Sequence, residues 1–210
     1  MNGMRTVLAV LVVGAASAQM TSVPGWFLSG LNRAFQLTLD HETYHSGQFS
    51  ARIECPEQKC ADFATVMQTI RSFHYLEKRV RLSAWVKADK GVRAARMWMR
   101  IDGVDGSVLG FDNMESRGKK GPFGWTLQKI VLKVPRDAAL INFGLIVAGE
   151  GTAWLDDVTF VVVPKNTRTT NTRGPSPVPS GEAVRYANVM RDVYLKSKYE
   201  PVNLDFETAP

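Results

Sequence analysis

His41-Glu42-Thr43-Tyr44-His45 spells the H-E-x-x-H pattern, in which two histidines one helical turn apart bind zinc and the glutamate activates a water. That chemistry needs a helix, because only there does the i,i+4 spacing bring both imidazoles to one side. Here the five residues fall between an alternating apolar and polar segment, 35–40, and the turn pair Ser46-Gly47. A surface loop is predicted, and metal-dependent hydrolysis is not. His74 is the remaining histidine, and no H-x-x-G-x-x-H continuation follows. Serines, acids and histidines elsewhere show no spacing that picks out a nucleophile, a base and its orienting group, and no glycine loop cradles phosphate.

Two other groups of residues carry chemistry. Cys55 and Cys60 are the only cysteines, separated by Pro-Glu-Gln-Lys. In an oxidising compartment they are expected to form a local disulfide, which would deny their sulfurs to a zinc site shared with His41 and His45. In the segment Met97-Trp98-Met99-Arg100-Ile101-Asp102, alternation places Met97, Met99 and Ile101 on one face and Trp98, Arg100 and Asp102 on the other. The first face is a core face. The second is either a ligand platform, with an indole for stacking and charged groups for hydroxyls, or an outer sheet surface covered by a loop. Trp85 stands in the same relation to Leu82, Ala84 and Val86.

Strands must position these groups, since period-two alternation recurs along the chain and helical periodicity is rare. Strands are predicted over 35–40, 48–54, 64–71, 80–87, 94–101, 108–112, 126–134, 141–148 and 153–162. Turn chemistry separates them at Ser46-Gly47, Lys90-Gly91, Asp102-Gly103, Asp105-Gly106 and Gly149 to Gly151. Short strands without intervening helices predict an all-β fold, a sandwich of two antiparallel sheets. A polar, proline-containing linker follows over 164–181. Apolar residues at helical spacing then predict one amphipathic helix over 182–198, with Ser180 as its cap.

The 210 residues are 45% hydrophobic and 22% charged, which excludes collagen-like and disordered classes. Lys+Arg number 26 and Asp+Glu 20, without the basic block that a nucleic-acid footprint needs, so no nucleic acid is expected as partner. Arg5, the apolar run Thr6 to Gly14 and Ala16-Ser17-Ala18 read as a signal peptide over 1–18. The mature chain is then expected to start at Gln19, in the periplasm or outside the cell, with no membrane span after cleavage.

Pro24-Gly-Trp-Phe-Leu-Ser-Gly30, His45-Ser-Gly-Gln-Phe-Ser50, Arg81-Leu-Ser-Ala-Trp-Val-Lys87, Phe111-Asp-Asn-Met114 and Trp154-Leu-Asp-Asp-Val158, with the Met97 to Gly103 segment, resemble a bacterial family of galactose-binding-like β-sandwich domains, similar to carbohydrate-binding modules. The resemblance implies a jelly roll over 19–163 and a carbohydrate or other small polar ligand. Trp98, Arg100 and Asp112 are its expected contacts, because an aromatic face stacks on sugar rings while guanidinium and carboxylate groups bind hydroxyls. The Phe-Asp-Asn-Met context also makes Asp112 and Glu115 a structural loop rather than a hydrolytic carboxylate pair. The alternative to ligand binding is a structural or protein-interaction module that docks an envelope protein.

Domains that this chain resembles usually open with a strand like Asn203-Leu-Asp-Phe-Glu207 ahead of the Gly-Trp motif, whereas here it stands near the end. Three arrangements accommodate it. The segment 199–210 completes its own sandwich as a circularly permuted strand, begins a truncated second copy, or pairs with a neighbouring molecule. The resemblance further implies a structural calcium ion, held by Glu207, by Asp156 or Asp157, and by oxygens near Asp40.

Overall fold

The computed structural model describes residues 23–30, 34–56, 60, 62–171 and 183–208. Ten strands run in the order β1 (Phe27–Gly30), β2 (Gln36–Asp40), β3 (Ser50–Cys55), β4 (Phe63–Arg71), β5 (Arg79–Ala88), β6 (Val92–Gly103), β7 (Val108–Asp112), β8 (Phe123–Lys133), β9 (Ala138–Gly149) and β10 (Gly151–Val163). A 3-10 turn, Phe73–Tyr75, links β4 to β5, and one α-helix among the described residues, α1 (Ala183–Lys196), follows the strands. The strands form two five-stranded antiparallel sheets, β1-β4-β9-β6-β7 and β2-β3-β10-β5-β8. The fold is therefore the all-β sandwich that the alternation predicts.

Alternation also decides what lies between the sheets. Met97, Met99 and Ile101 of β6 meet Leu82, Ala84 and Val86 of β5 with Ile53, Phe143, Leu145 and Leu155, all fully buried. Burying each large side chain of this kind contributes about 1.5–3 kcal/mol relative to exposure. Cys55 and Cys60 form a disulfide, with Cα atoms 6.3 Å apart, at the rim of this core. Each of the nine strands predicted between residues 35 and 162 is present; β1 is the addition. Its four residues, three of them exposed, have no alternation to reveal them.

The expected strand over 203–207 does not form. Asn203 and Phe206 take φ of 47° and 62°, left-handed values that interrupt the extended repeat and its ladder. The segment still docks on its own sandwich. Lys198 bridges Ile70 beyond the end of β1, and its carbonyl accepts the Arg71 N–H at 2.8 Å. The Gln68 amide exchanges two bonds with the Val202 backbone, at 2.6 and 3.1 Å. The chain then crosses to the second sheet, where the Leu204 carbonyl accepts the Val158 N–H at 2.9 Å. Phe206, fully buried, enters the core.

The first part of the expected linker is tied down. Thr170 N–H donates to the Val131 carbonyl at 2.8 Å, and Val131 N–H donates to Thr170 Oγ1 at 2.9 Å. The rest of it, 172–181, lies outside the described residues, as does the expected signal peptide. Among the described residues no helix is long and apolar enough to cross a membrane.

Candidate functional site

The outer face of the β1-β4-β9-β6-β7 sheet collects Thr65, Met67, Thr69 and Arg71 from β4, Asn142, Gly144 and Ile146 from β9, and Arg96, Trp98 and Arg100 from β6. Trp98 Nε1 donates to Thr65 Oγ1 at 2.6 Å. These residues sit two strands apart, so the indole must lie across β9, over Gly144, its cross-strand partner. A Cβ on Gly144 would stand 1.9 Å from the Val66 carbonyl oxygen, so no side chain fits there. Trp98 is consequently 7% exposed and forms a floor rather than a projecting platform.

A second connection crosses the same three strands in polar groups. Arg100 Nη2 donates to Asp102 Oδ2 at 2.9 Å, Asn142 Nδ2 donates to the same oxygen at 2.7 Å, and Thr69 Oγ1 donates to Asn142 Oδ1 at 2.8 Å. Asp102 is almost completely buried, while the Arg100 side chain is 42% exposed. Burial pushes the Asp102 carboxyl above its ordinary range, and the Arg100 charge and the bonds from Arg100 and Asn142 counter it. At the other end, Thr69 joins Phe27, Val193, Lys196 and Val202 in lining a cavity of about 310 Å³ between the sheet, α1 and the tail. Arg71 holds α1 there: Nε donates to the Tyr194 carbonyl at 2.9 Å, and the guanidinium lies 4.6 Å from the ring centres of both Tyr194 and Tyr199.

Of the three expected contacts, Trp98 and Arg100 share this face and Asp112 does not. Asp112 pairs with Met99, and directly paired residues point to the same side of a sheet, here the inner one. Its carboxylate is fully buried, accepts the Met114 N–H at 2.9 Å, and takes a bidentate ion pair from Arg117 at 3.0 and 2.5 Å. It shapes a loop and offers nothing to a ligand on the outer face.

The four acids expected at calcium serve the 41–49 segment instead. Asp40 accepts Trp154 Nε1 at 2.8 Å and the N–H groups of Glu42 and Thr43 at 2.8 and 3.0 Å. Burial acts to raise its carboxyl, but these bonds and the Arg52 charge outweigh it and hold the group low. Glu207 Oε1 accepts the N–H groups of Gln48 and Phe49 at 2.8 and 3.1 Å. Asp156, fully buried, accepts the N–H groups of His45, Ser46 and Asp157 at 2.7, 3.2 and 2.7 Å. Calcium takes six to eight oxygens, yet these are turned to N–H donors. Among the described residues no three His, Cys, Asp or Glu side chains are grouped to hold a metal.

The H-E-x-x-H segment is a succession of bends rather than a helix. Its second histidine is held from three sides. His45 Nδ1 lies 2.6 Å from Asp157 Oδ2, its ring stacks on Trp85 with centroids 4.0 Å apart, and Trp125 meets it edge-on at 5.7 Å. A bulge in β10 makes this reach: the register slips between Asp156 and Thr159, and Asp157 takes φ of 46°. The relay residues Asn142 and Thr69 escaped sequence reasoning. The available signal was a single amide inside Ala138–Gly149, whose other residues are apolar or glycine.

No family model matches the chain. In sequence it is similar to the uncharacterized HTH-type transcriptional regulator YbfP of Bacillus subtilis (strain 168), with 38% identity over 186 residues, 87% of this chain and 56% of the relative. The chain thus spans about half the length of the curated relative it matches. Among solved structures it is similar to the enzymatically active domain of tailspike protein 4 of bacteriophage CBA120, with a TM-score of 0.52 and 16% identity over 68% of this chain and 20% of that one. It is also similar to the CBM22-1-CBM22-2 tandem domain of Paenibacillus barcinonensis Xyn10C, at TM-score 0.51 and 13% identity over 68% of this chain and 43% of that one. The CBM22-1 xylan-binding domain of that protein gives 0.50 and 14% over 70% and 90%. The chain is a β-sandwich of the kind found in carbohydrate-binding modules.

Proposed function

We propose that the chain is an exported, noncatalytic module of the galactose-binding-like kind, which binds carbohydrate or a similar polar ligand along the outer face of the β1-β4-β9-β6-β7 sheet. The observation that carries this reading is the Arg100-Asp102-Asn142-Thr69 relay. It fixes hydroxyl-binding groups in one line, beside the Trp98 floor, between a half-exposed guanidinium and a cavity. Buried polar groups held by one another present pre-oriented donors and acceptors, which is what discriminates a polar ligand from water. The likeness to a xylan-binding domain supports the class of ligand.

Calorimetric titration with soluble xylan and a panel of other polysaccharides tests the proposal. Saturable binding that weakens in Arg100→Ala is expected. Absence of binding across the panel, or affinity unchanged in that variant, overturns it.

The match to part of an HTH-type regulator favours a second reading, in which the sandwich senses a ligand for a larger regulatory protein. The described residues provide one α-helix, so a helix-turn-helix pair would lie outside the described residues. N-terminal sequencing of the protein from its native cells separates the readings. An exported module begins at Gln19 after signal cleavage, whereas a chain retained beside DNA keeps residues 1–18.

A further inference from the structure

Arg79 of β5 stands directly opposite Lys133 of β8. In such a pair the Cβ atoms are about 5 Å apart, and like charges so placed destabilise the sheet. On the other side Arg79 faces Val163, the last residue of β10, and Lys165 follows two positions later. Arg79, Lys133 and Lys165 line one concavity of about 340 Å³, with Glu77 as its single acid among the described residues. None of the three cations forms an ion pair with a carboxylate among the described residues. Arg79 Nη1 donates to the Thr167 carbonyl, which orients the guanidinium without neutralising it. Arg81, two residues along the same strand and so on the same face, has a buried Nε with no hydrogen-bond partner among the described residues.

We infer that this end of the β2-β3-β10-β5-β8 sheet binds a tetrahedral oxyanion, a phosphate or sulfate group. Three cationic side chains from three separate segments line one concavity, an arrangement that suits the several oxygens of a tetrahedral anion better than the planar pair of a carboxylate. An anion seated there converts the repulsion between Arg79 and Lys133 into shared attraction. The site lies on the sheet opposite the proposed carbohydrate face and does not depend on it. The group is either a free inorganic ion or a substituent on a polymer.

The test measures melting temperature and calorimetric affinity for the full chain with sodium phosphate, sodium sulfate and sodium chloride at matched ionic strength. Dextran sulfate and neutral dextran serve as the polymer pair. Phosphate and sulfate are expected to raise the melting temperature where chloride does not. The Lys133→Gln/Lys165→Gln variant is expected to lose at least about ten-fold in anion affinity, the equivalent of one charge-assisted contact. In anion-free buffer Lys133→Gln alone is expected to melt higher than the parent, because the facing charge is gone. Dextran sulfate binding tighter than free sulfate assigns the group to a polymer, and equal or weaker binding assigns it to the free ion; either supports the site. Equal shifts with chloride, no shift with any anion, or an undiminished shift in the double variant overturns it.

Discussion

The ring of Phe206 lies 5.2 Å from that of Trp26, which in turn meets Phe143 edge-on at 5.9 Å. The tail therefore supplies a piece of the core. Trp26 Nε1 donates to the Asn203 carbonyl at 2.8 Å, and Asn203 Nδ2 donates to the Pro24 carbonyl at 3.0 Å, so the two distant segments are bonded as well as packed.

Phe206→Ala is predicted to cost about 3–5 kcal/mol, the usual loss for a buried phenylalanine. Deleting 199–210 is predicted to cost at least as much. Urea unfolding followed by tryptophan fluorescence reads both, and a midpoint unmoved by either change would contradict the role given to the tail.

The tail also shows where reading the sequence stops. Strands β2 to β10 announced themselves because alternate residues had to face either the core or the outside, and Met97 to Asp102 displays that requirement in the residues themselves. Asn203 to Glu207 alternates just as well, yet the segment reaches across two sheets instead of lying along one, and left-handed residues override its pattern. The site was half legible for a similar reason. Trp98 and Arg100 lie on one strand, so periodicity places them together, whereas Asp112 belongs to β7 and its face depended on a cross-strand register that no local pattern reveals. Thr69 and Asn142 join the relay from two further strands, through pairings over long sequence separations.

Arg100→Ala is predicted to weaken polysaccharide binding and to destabilise the fold by about 1–3 kcal/mol, because it removes a charge-assisted partner of buried Asp102. Arg100→Lys keeps the charge and loses the forked geometry. It should recover more stability than affinity; recovery of both together would show that the guanidinium itself is not recognised.

Burial raises the Asp156 carboxyl to about 6, against three backbone N–H bonds that favour the anion and with the Asp157 charge adding to the rise. Its folded value thus lies above its unfolded one, so the folded chain holds that proton more tightly. The resulting stabilisation is complete below about pH 4 and is lost as pH rises through about 6. Asp156→Asn should remove this component, making stability less dependent on pH between 4 and 7 than in the parent. An unaltered profile in the variant would refute the assignment.

Because the oxygens of Asp40, Asp156 and Glu207 already accept N–H bonds, millimolar calcium is predicted to leave the melting temperature where EDTA leaves it. A clear rise with calcium would show that these acids turn to the ion.

Replacing Cys55 and Cys60 with alanine is predicted to cost about 2 kcal/mol, small because the closed loop is short. Reducing agent should reproduce the loss in the parent and add nothing in the variant.

The pairing of Trp26 with Phe206 also bears on synthesis. A nascent chain can make β1 through β10 on the ribosome, but it cannot seal its interior until residue 206 has emerged. During that interval the apolar surface around Trp26 and Phe143 stays open to chaperones or to neighbouring chains. Translation stalled anywhere in 164–200 would release a polypeptide with nearly all its sheet residues and an unfilled hollow where the phenylalanine belongs.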